Sequence, residues 1–190
     1  MASRRDAQSA ATRRDILKVA KALFGDKGYH DTSIGDIASR IGAARSALYY
    51  HFPNKLAIFR AVVAEYDESV GQEILESSVA EKDGWKALKA GAMRFLDACE
   101  EPRYRRVMLV DAPVILHPEE PEPRRSVMLT AETLAPLLPG RKQASSMAMA
   151  YSIVGVLQGL AQYIAHAEDP TAARNSANGV FGKVLEGLKN

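Results

Sequence analysis

Arg45, Ser46 and Tyr49 are spaced so that they share one face of a short helix. A guanidinium, a hydroxyl and a phenol grouped in this way can meet base edges in a DNA major groove. Anchors for phosphate flank them. Ser33, or Thr32 before it, stands at a helix start, where backbone amides and a hydroxyl favour an anion. Lys55 falls in the first turn of the following helix, where a cation opposes the helix dipole. A bound phosphate reverses that penalty, and a merely solvated side chain leaves it standing. Tyr49 and His51 can each donate to a phosphate oxygen, although a packed surface histidine is the plain alternative for His51. Tyr50, next to Phe52, reads as core. No other grouping carries chemistry as well. His30, His51, His117 and His166 are far apart, and Cys99 is the single cysteine, so no disulfide within the chain, no metal and no cofactor is expected. Asp111 with His117 is the nearest thing to a catalytic pair and lacks a nucleophile, so the chain does not read as an enzyme.

The elements that position these groups are helical, with no period-two strand and no internal repeat. A helix is expected from Thr12, with Asp15 as capping-box partner and Gly28 as its left-handed stop. A second starts at Thr32–Ser33, capped back by Asp36, and ends at Gly42. A third runs from about Arg45 to Tyr50. Ile37, Ile41 and Leu48 pin the second and third together, Ala38 allows them to cross closely, and Gly42 supplies the turn of a helix-turn-helix. Asn54 caps a long fourth helix with an apolar stripe of Leu56, Phe59, Val62, Val63, Tyr66 and Val70. Further helices are expected over 83–99, from Pro102 to Pro113, over 124–138 with an end near Pro136, over 142–167, and from Asp169-Pro170 to Leu188. The segment His117 to Pro123 is the most loop-like. The fold class is therefore all-α: an N-terminal three-helix helix-turn-helix domain joined by a long helix to a larger helical domain. The expected division is residues 1–60, with a basic arm over 1–11, and residues 61–190.

Charge supports that division. Residues 1–60 carry 11 Lys and Arg against 5 Asp and Glu, a net of +6, while the remainder carries 14 against 18, a net of −4. A basic head suggests an anionic partner. No Asp, Glu, Lys or Arg lies between Lys142 and Glu168, a length sufficient to cross a bilayer. Its serines, glutamines and small residues favour a helix buried by partner helices instead, so no membrane association is expected. Arg4 and Arg5 have no apolar run behind them, which argues against a signal peptide and for a cytoplasmic protein.

Residues 12–60 closely resemble the DNA-binding domain of the TetR/AcrR family of bacterial regulators. The likeness rests on Phe24 to Tyr29, Thr32, Ile37, Ala38, Ile41, Gly42 and above all the run Leu48-Tyr49-Tyr50-His51-Phe52 with Lys55 behind it. The resemblance implies backbone contacts from Ser33 (or Thr32), Tyr49, His51 and Lys55. It places Arg45 and Ser46 at the variable positions that meet base edges, where an arginine suits a bidentate contact to guanine. One departure stands out. The family usually has Val-Ser where this chain has Ala43-Ala44. Losing that serine removes a phosphate contact and weakens the cap of the reading helix by about 1 kcal/mol. Arg4, Arg5, Arg13 and Arg14 are candidates for contacts to neighbouring backbone or a minor groove, with a disordered basic tail the alternative for Arg4 and Arg5.

Beyond residue 75 the likeness is one of architecture. It implies a helical domain that dimerises through its last two helices and often encloses a ligand pocket. Met147, Tyr151, Val154, Gly155, Gly159, Val180 and Val184 are the expected interface residues, with the Gly155-x-x-x-Gly159 pair allowing a partner backbone to approach; packing within one subunit is the alternative for the glycines. Trp85, Met93, Phe95, Met108, Asp111, Tyr151 and Gln158 are candidate pocket linings, and each has a plain core or capping reading beside it. Asp111 in particular either caps a helix restarted at Pro113 or faces a ligand. The reading as a whole is a homodimeric repressor, released from a palindromic operator in double-stranded DNA by a small-molecule effector. A DNA-binding regulator or architectural protein of the same fold without an effector is the alternative.

Overall fold

The computed structural model describes residues 4–116, 125–138 and 143–189. Among the described residues there is no strand. The loop-like segment from His117 to Pro123 and the helix starts expected at Arg124 and Lys142 lie outside them. The chain divides into two compact units, Met1–Glu68 with Pro102–His117, and Ser69–Glu101 with Pro118–Asn190.

The first unit opens with α1 (Arg4–Lys27). This helix starts well before Thr12, whose hydroxyl donates back to the Gln8 carbonyl and caps nothing. Residues 6–11 contain no breaker, and Asp6 in the first turn complements the dipole. Gly28 takes φ +87° as the expected stop. The helices α2 (Ile34–Ile41) and α3 (Arg45–His51) follow, then α4 (Lys55–Val79), which Asn54 caps by accepting from the Ala57 amide. The unit boundary near residue 68 falls inside α4. The core of this unit is Ile16, Leu17, Ala20, Leu23, Phe24, Ile37, Leu48, Phe52, Ile58, Phe59 and Val62, all buried.

Residues 102–117 join this first unit, although the expected division assigned them to the second domain. They comprise α6 (Pro102–Tyr104), a π-helical stretch (Arg105–Asp111) and α7 (Ala112–Ile115). Tyr104 is buried edge-on to Tyr66 at 5.4 Å. Arg103 Nε donates to Asp26 Oδ1 at 2.7 Å, and a Cβ at Gly25 would collide with the Arg103 side chain. Pro113 does not end the helical path. It lacks the N–H for a bond to the fourth carbonyl back, and the wider π turn stands directly before it.

The second unit holds α5 (Gly84–Glu100), α8 (Arg125–Leu134), a 3₁₀ turn at Ala135–Leu137 that contains Pro136, α9 (Gln143–Ala165) and α10 (Pro170–Lys189). Asp83 caps α5 through the Lys86 amide, and Asp169 caps α10 through the Ala172 amide. Ala150, Ile153, Val154, Ala161 and Ile164 form the buried stripe of α9, and Phe181 and Leu185 that of α10. By length and composition α9 could cross a membrane, but this stripe lies in a core shared with α5, α8 and α10. Ion pairs join Arg174 to Asp97 and Arg94 to Glu73. Cys99 is buried, which pushes its thiol up to about 12 and keeps it protonated at neutral pH.

Val154 faces this core, and Met147 and Leu157 pack against it. The 3.6-residue period turns Val154 inward with Ala150 and Ala161. That corrects its expected place on an outer face. Tyr151, Gly155, Gly159 and Val180 are exposed, and Val184 is half-buried. A Cβ built on Gly155 or Gly159 meets nothing within 4 Å, as also at Gly179, Gly182 and Gly187. Among the described residues, nothing therefore packs closely on the glycine pair within one subunit.

Candidate nucleic-acid interface

The helix-turn-helix is built by local signals. Ser33 Oγ accepts from the Asp36 amide at 3.1 Å, and Asp36 Oδ2 accepts from the Ser33 amide at 2.8 Å, closing the expected capping box. Gly42 (φ 68°) ends α2, with its N–H directed to the Ala38 and Ser39 carbonyls. Ile37, Ala38 and Leu48 are buried in the crossing. Ala44 gives α3 no side-chain cap. Asp36 is held below its ordinary pKa, first by the Ser33 hydroxyl and backbone and then by Lys27 and Arg45 nearby. A carboxylate with a depressed folded-state pKa stabilises the fold above its unfolded pKa, and the contribution disappears as pH falls through the folded value. Asp36→Asn should therefore be less stable than the parent at neutral pH, and the gap should close on acidification. Thermal unfolding across pH checks this; a gap that stays constant into acid would rule out the charged cap.

Arg45, Ser46 and Tyr49 all lie exposed on the outer face of α3, as their spacing requires. The Arg45 guanidinium rests against the first turn of α2, where a Cβ on Gly35 would collide with it. Beside it opens a cleft of about 380 Å³, lined by His30, Asp31, Thr32, Ser33, Ile34, Gly35, Arg45, Tyr49 and Lys55. Ser33 takes the Asp36 amide, and the Ile34 and Gly35 amides before it have no partner within the helix, so this cleft joins amide donors to two cationic side chains.

Thr32 differs from expectation. It is buried, and its hydroxyl donates to the Gly28 carbonyl at 2.8 Å and the Leu23 carbonyl at 3.2 Å. It therefore closes the end of α1, and of the two alternatives Ser33 is the exposed one. Lys55 is half-buried and paired within the chain. Its Nζ donates to the Tyr29 carbonyl at 2.9 Å and sits 4.2 Å from the centre of the Tyr29 ring. His51 is half-buried against Tyr50, edge to face at 5.1 Å. Tyr50 is 77% exposed, not core. Leu48 and Phe52, four residues apart, take the inward face of α3 and leave Tyr50 on the opposite one. Arg13 lies over the Phe52 ring at 4.7 Å.

Asp111 does not cap the helix that Pro113 opens, and it is held instead by a distant part of the chain. It makes no side-chain cap bond to α7. Its Oδ2 accepts from the Tyr29 amide at 2.7 Å, and Arg106 Nε stands 3.4 Å from Oδ1. Sequence reasoning missed this role because the partner is a backbone amide 82 residues away. Met108 belongs to the same unit as Asp111. Trp85 and Met93 pack against the core cluster of the second unit, where Phe95 and Gln158 are half-buried and Tyr151 is exposed. None of these seven lines the cleft described above, nor the shallow groove formed by Gln72, Leu75, Glu76, Val79 and Ala80.

Comparison with known proteins agrees with this architecture. The profile described as "Bacterial regulatory proteins, tetR family" matches residues 16–62, and "Tetracyclin repressor-like, C-terminal domain" matches residues 85–188. The chain is similar to the HTH-type transcriptional regulator AcrR of Shigella flexneri, 36% identical over 40% of this chain and 35% of that one. It is similar to the probable acrEF/envCD operon repressor of Escherichia coli, 37% identical over 31% of this chain and 27% of the other. The chain thus spans about a third of the length of these curated relatives. A solved TetR-family regulator from Pectobacterium atrosepticum superposes with TM-score 0.83 at 28% identity, covering 98% of this chain and 97% of its own. The fatty acid degradation regulator FadR of Bacillus halodurans shares the fold, with TM-score 0.68 at 16% identity over 89% and 93% of the two chains.

Proposed function

The chain belongs to the TetR family of bacterial transcriptional regulators, and from that premise we propose that it is a homodimeric repressor whose two α3 helices read a near-palindromic operator. The observation that carries the reading is the exposed Arg45–Ser46–Tyr49 face beside a cleft that gathers Lys55 and the first turn of α2. In this reading Arg45 swings from its rest on Gly35 to a base edge, and Ser46 meets a neighbouring base. Tyr49, Lys55, His51 and the Ser33 end of α2 hold phosphates. Thr32 serves them by fixing the turn from behind. Tyr151, Gly155, Gly159 and Val180 form the dimer face. A small-molecule effector acts by stabilising a form of the dimer whose α3 spacing no longer fits the operator. The protein works in the cytoplasm, where its DNA lies.

Fluorescence anisotropy on a duplex from upstream of the gene, against scrambled duplex at two salt concentrations, tests the reading. Selective binding that weakens with salt is expected, because phosphate contacts release counterions. Arg45→Ala should cost about 1–3 kcal/mol on the operator and little on scrambled DNA, as loss of a base contact requires. Tyr49→Phe should cost about 1 kcal/mol on both, as loss of a phosphate contact requires. Specific binding retained by Arg45→Ala would remove α3 as the reading helix.

A further inference from the structure

We propose that Asp111 is a positioning residue for DNA binding, acting through the Tyr29 backbone on Lys55; the inference rests on the reading of Lys55 as a phosphate contact. Asp111 is 7% exposed, and a carboxylate is buried at such a site only when it is well partnered. Its short bond is to the Tyr29 amide, while Arg106, which is exposed, stands farther off. The same Tyr29 offers its carbonyl to Lys55 Nζ. The two peptide groups flanking one α-carbon are thus both held, one by the acid and the other by the cation of the cleft.

The surroundings make this turn narrow in its choices. Gly28 sits at φ +87°, a conformation other residues resist, and a Cβ there would meet the Arg106 guanidinium. The π-helical stretch ends at Asp111, which is buried there. The Tyr29 ring lies under Lys55 Nζ, stacks on Phe24 and meets Phe59 at a steep tilt. Release of the Tyr29 amide therefore frees the Tyr29–His30 backbone to rotate, and the carbonyls that hold Lys55 Nζ rotate with it. Asp111 touches no DNA in this arrangement. It fixes where the phosphate-binding cation stands.

A double-mutant cycle tests this, read by anisotropy over a range of salt on the duplex that the wild-type protein selects from a random-sequence pool. Lys55→Ala and Asp111→Ala should each weaken binding about tenfold. Each should also reduce the slope of log affinity against log salt by about one per subunit. The double variant should bind no more weakly than Lys55→Ala alone, because Asp111 acts only through Lys55. Asp111→Asn keeps an acceptor for the Tyr29 amide and should restore most of the loss. Asp111→Ser replaces Asp111→Ala in the cycle if the latter lacks the wild-type far-ultraviolet circular dichroism. Additive losses, an unchanged salt slope in the Asp111 variant, or no rescue by asparagine would overturn the proposal. A Lys55→Ala variant with full affinity would instead overturn the phosphate reading of Lys55, and the inference with it.

Discussion

Phe59→Ala should lower the unfolding free energy of the DNA-binding unit by about 3–5 kcal/mol. Phe59 is fully buried on α4, with its ring edge-on to Phe24 at 5.2 Å and tilted against Tyr29 at 4.8 Å. Truncation removes the transfer free energy of the ring and leaves a cavity that α1 and α4 cannot close without moving their backbones. Each lost aromatic pair adds about 0.5–1.5 kcal/mol to what area alone predicts. Against a total stability of about 5–15 kcal/mol for a domain, the loss shifts the denaturation midpoint strongly. Function should fall with it, since Phe59 is the floor under the Tyr29 ring on which Lys55 rests. Urea unfolding followed by circular dichroism measures the change. A cost below about 1 kcal/mol would mean that the rings do not pack as described.

The parts of this site that were legible in the sequence are those set within a few residues. Ser33 and Asp36 three apart, Gly42 at a helix end, and Leu48 with Phe52 on one face each determine local geometry through bonds that local spacing allows. The parts that were not legible depend on partners far along the chain. Asp111 looked like a cap because Pro113 follows it, yet its partner is the Tyr29 amide, and a backbone amide has no sequence signature. Lys55 looked like a cation against a dipole, yet carbonyls at the α1–α2 turn satisfy it. Thr32 and Ser33 could not be separated as adjacent hydroxyls, and only the fold turns one inward. Tyr50 was misread because residue type outweighed the helical period, which already placed it opposite Leu48. Val154 was misread in the same way, as one apolar residue in a helix that is apolar on several sides.

The second large effect concerns the outer face of α9. Gly155→Leu combined with Gly159→Leu should leave a folded chain that no longer dimerises and binds the operator at least about 100-fold more weakly. Glycine inside a helix costs about 1 kcal/mol relative to alanine, so a helix keeps it where something must come close. Among the described residues of this chain nothing does: a Cβ at either position meets no atom within 4 Å, and the same holds at Gly179, Gly182 and Gly187 on α10. Tyr151 and Val180, each about half exposed, lie on these outward faces. A second copy related by a two-fold axis would cover such a surface and use the absent side chains as its route of approach. At these exposed positions a side chain has room to leave the helix, so the leucines remove a glycine penalty from the lone subunit while they hold a partner helix away. Sedimentation should give a mass near 20.7 kDa for the variant and twice that for the parent. Monomers lose the bivalent grip that joins two half-sites, which is why affinity falls although no DNA contact has been touched. A variant that still sediments as a dimer with parental affinity would place the interface elsewhere and leave these glycines without a role.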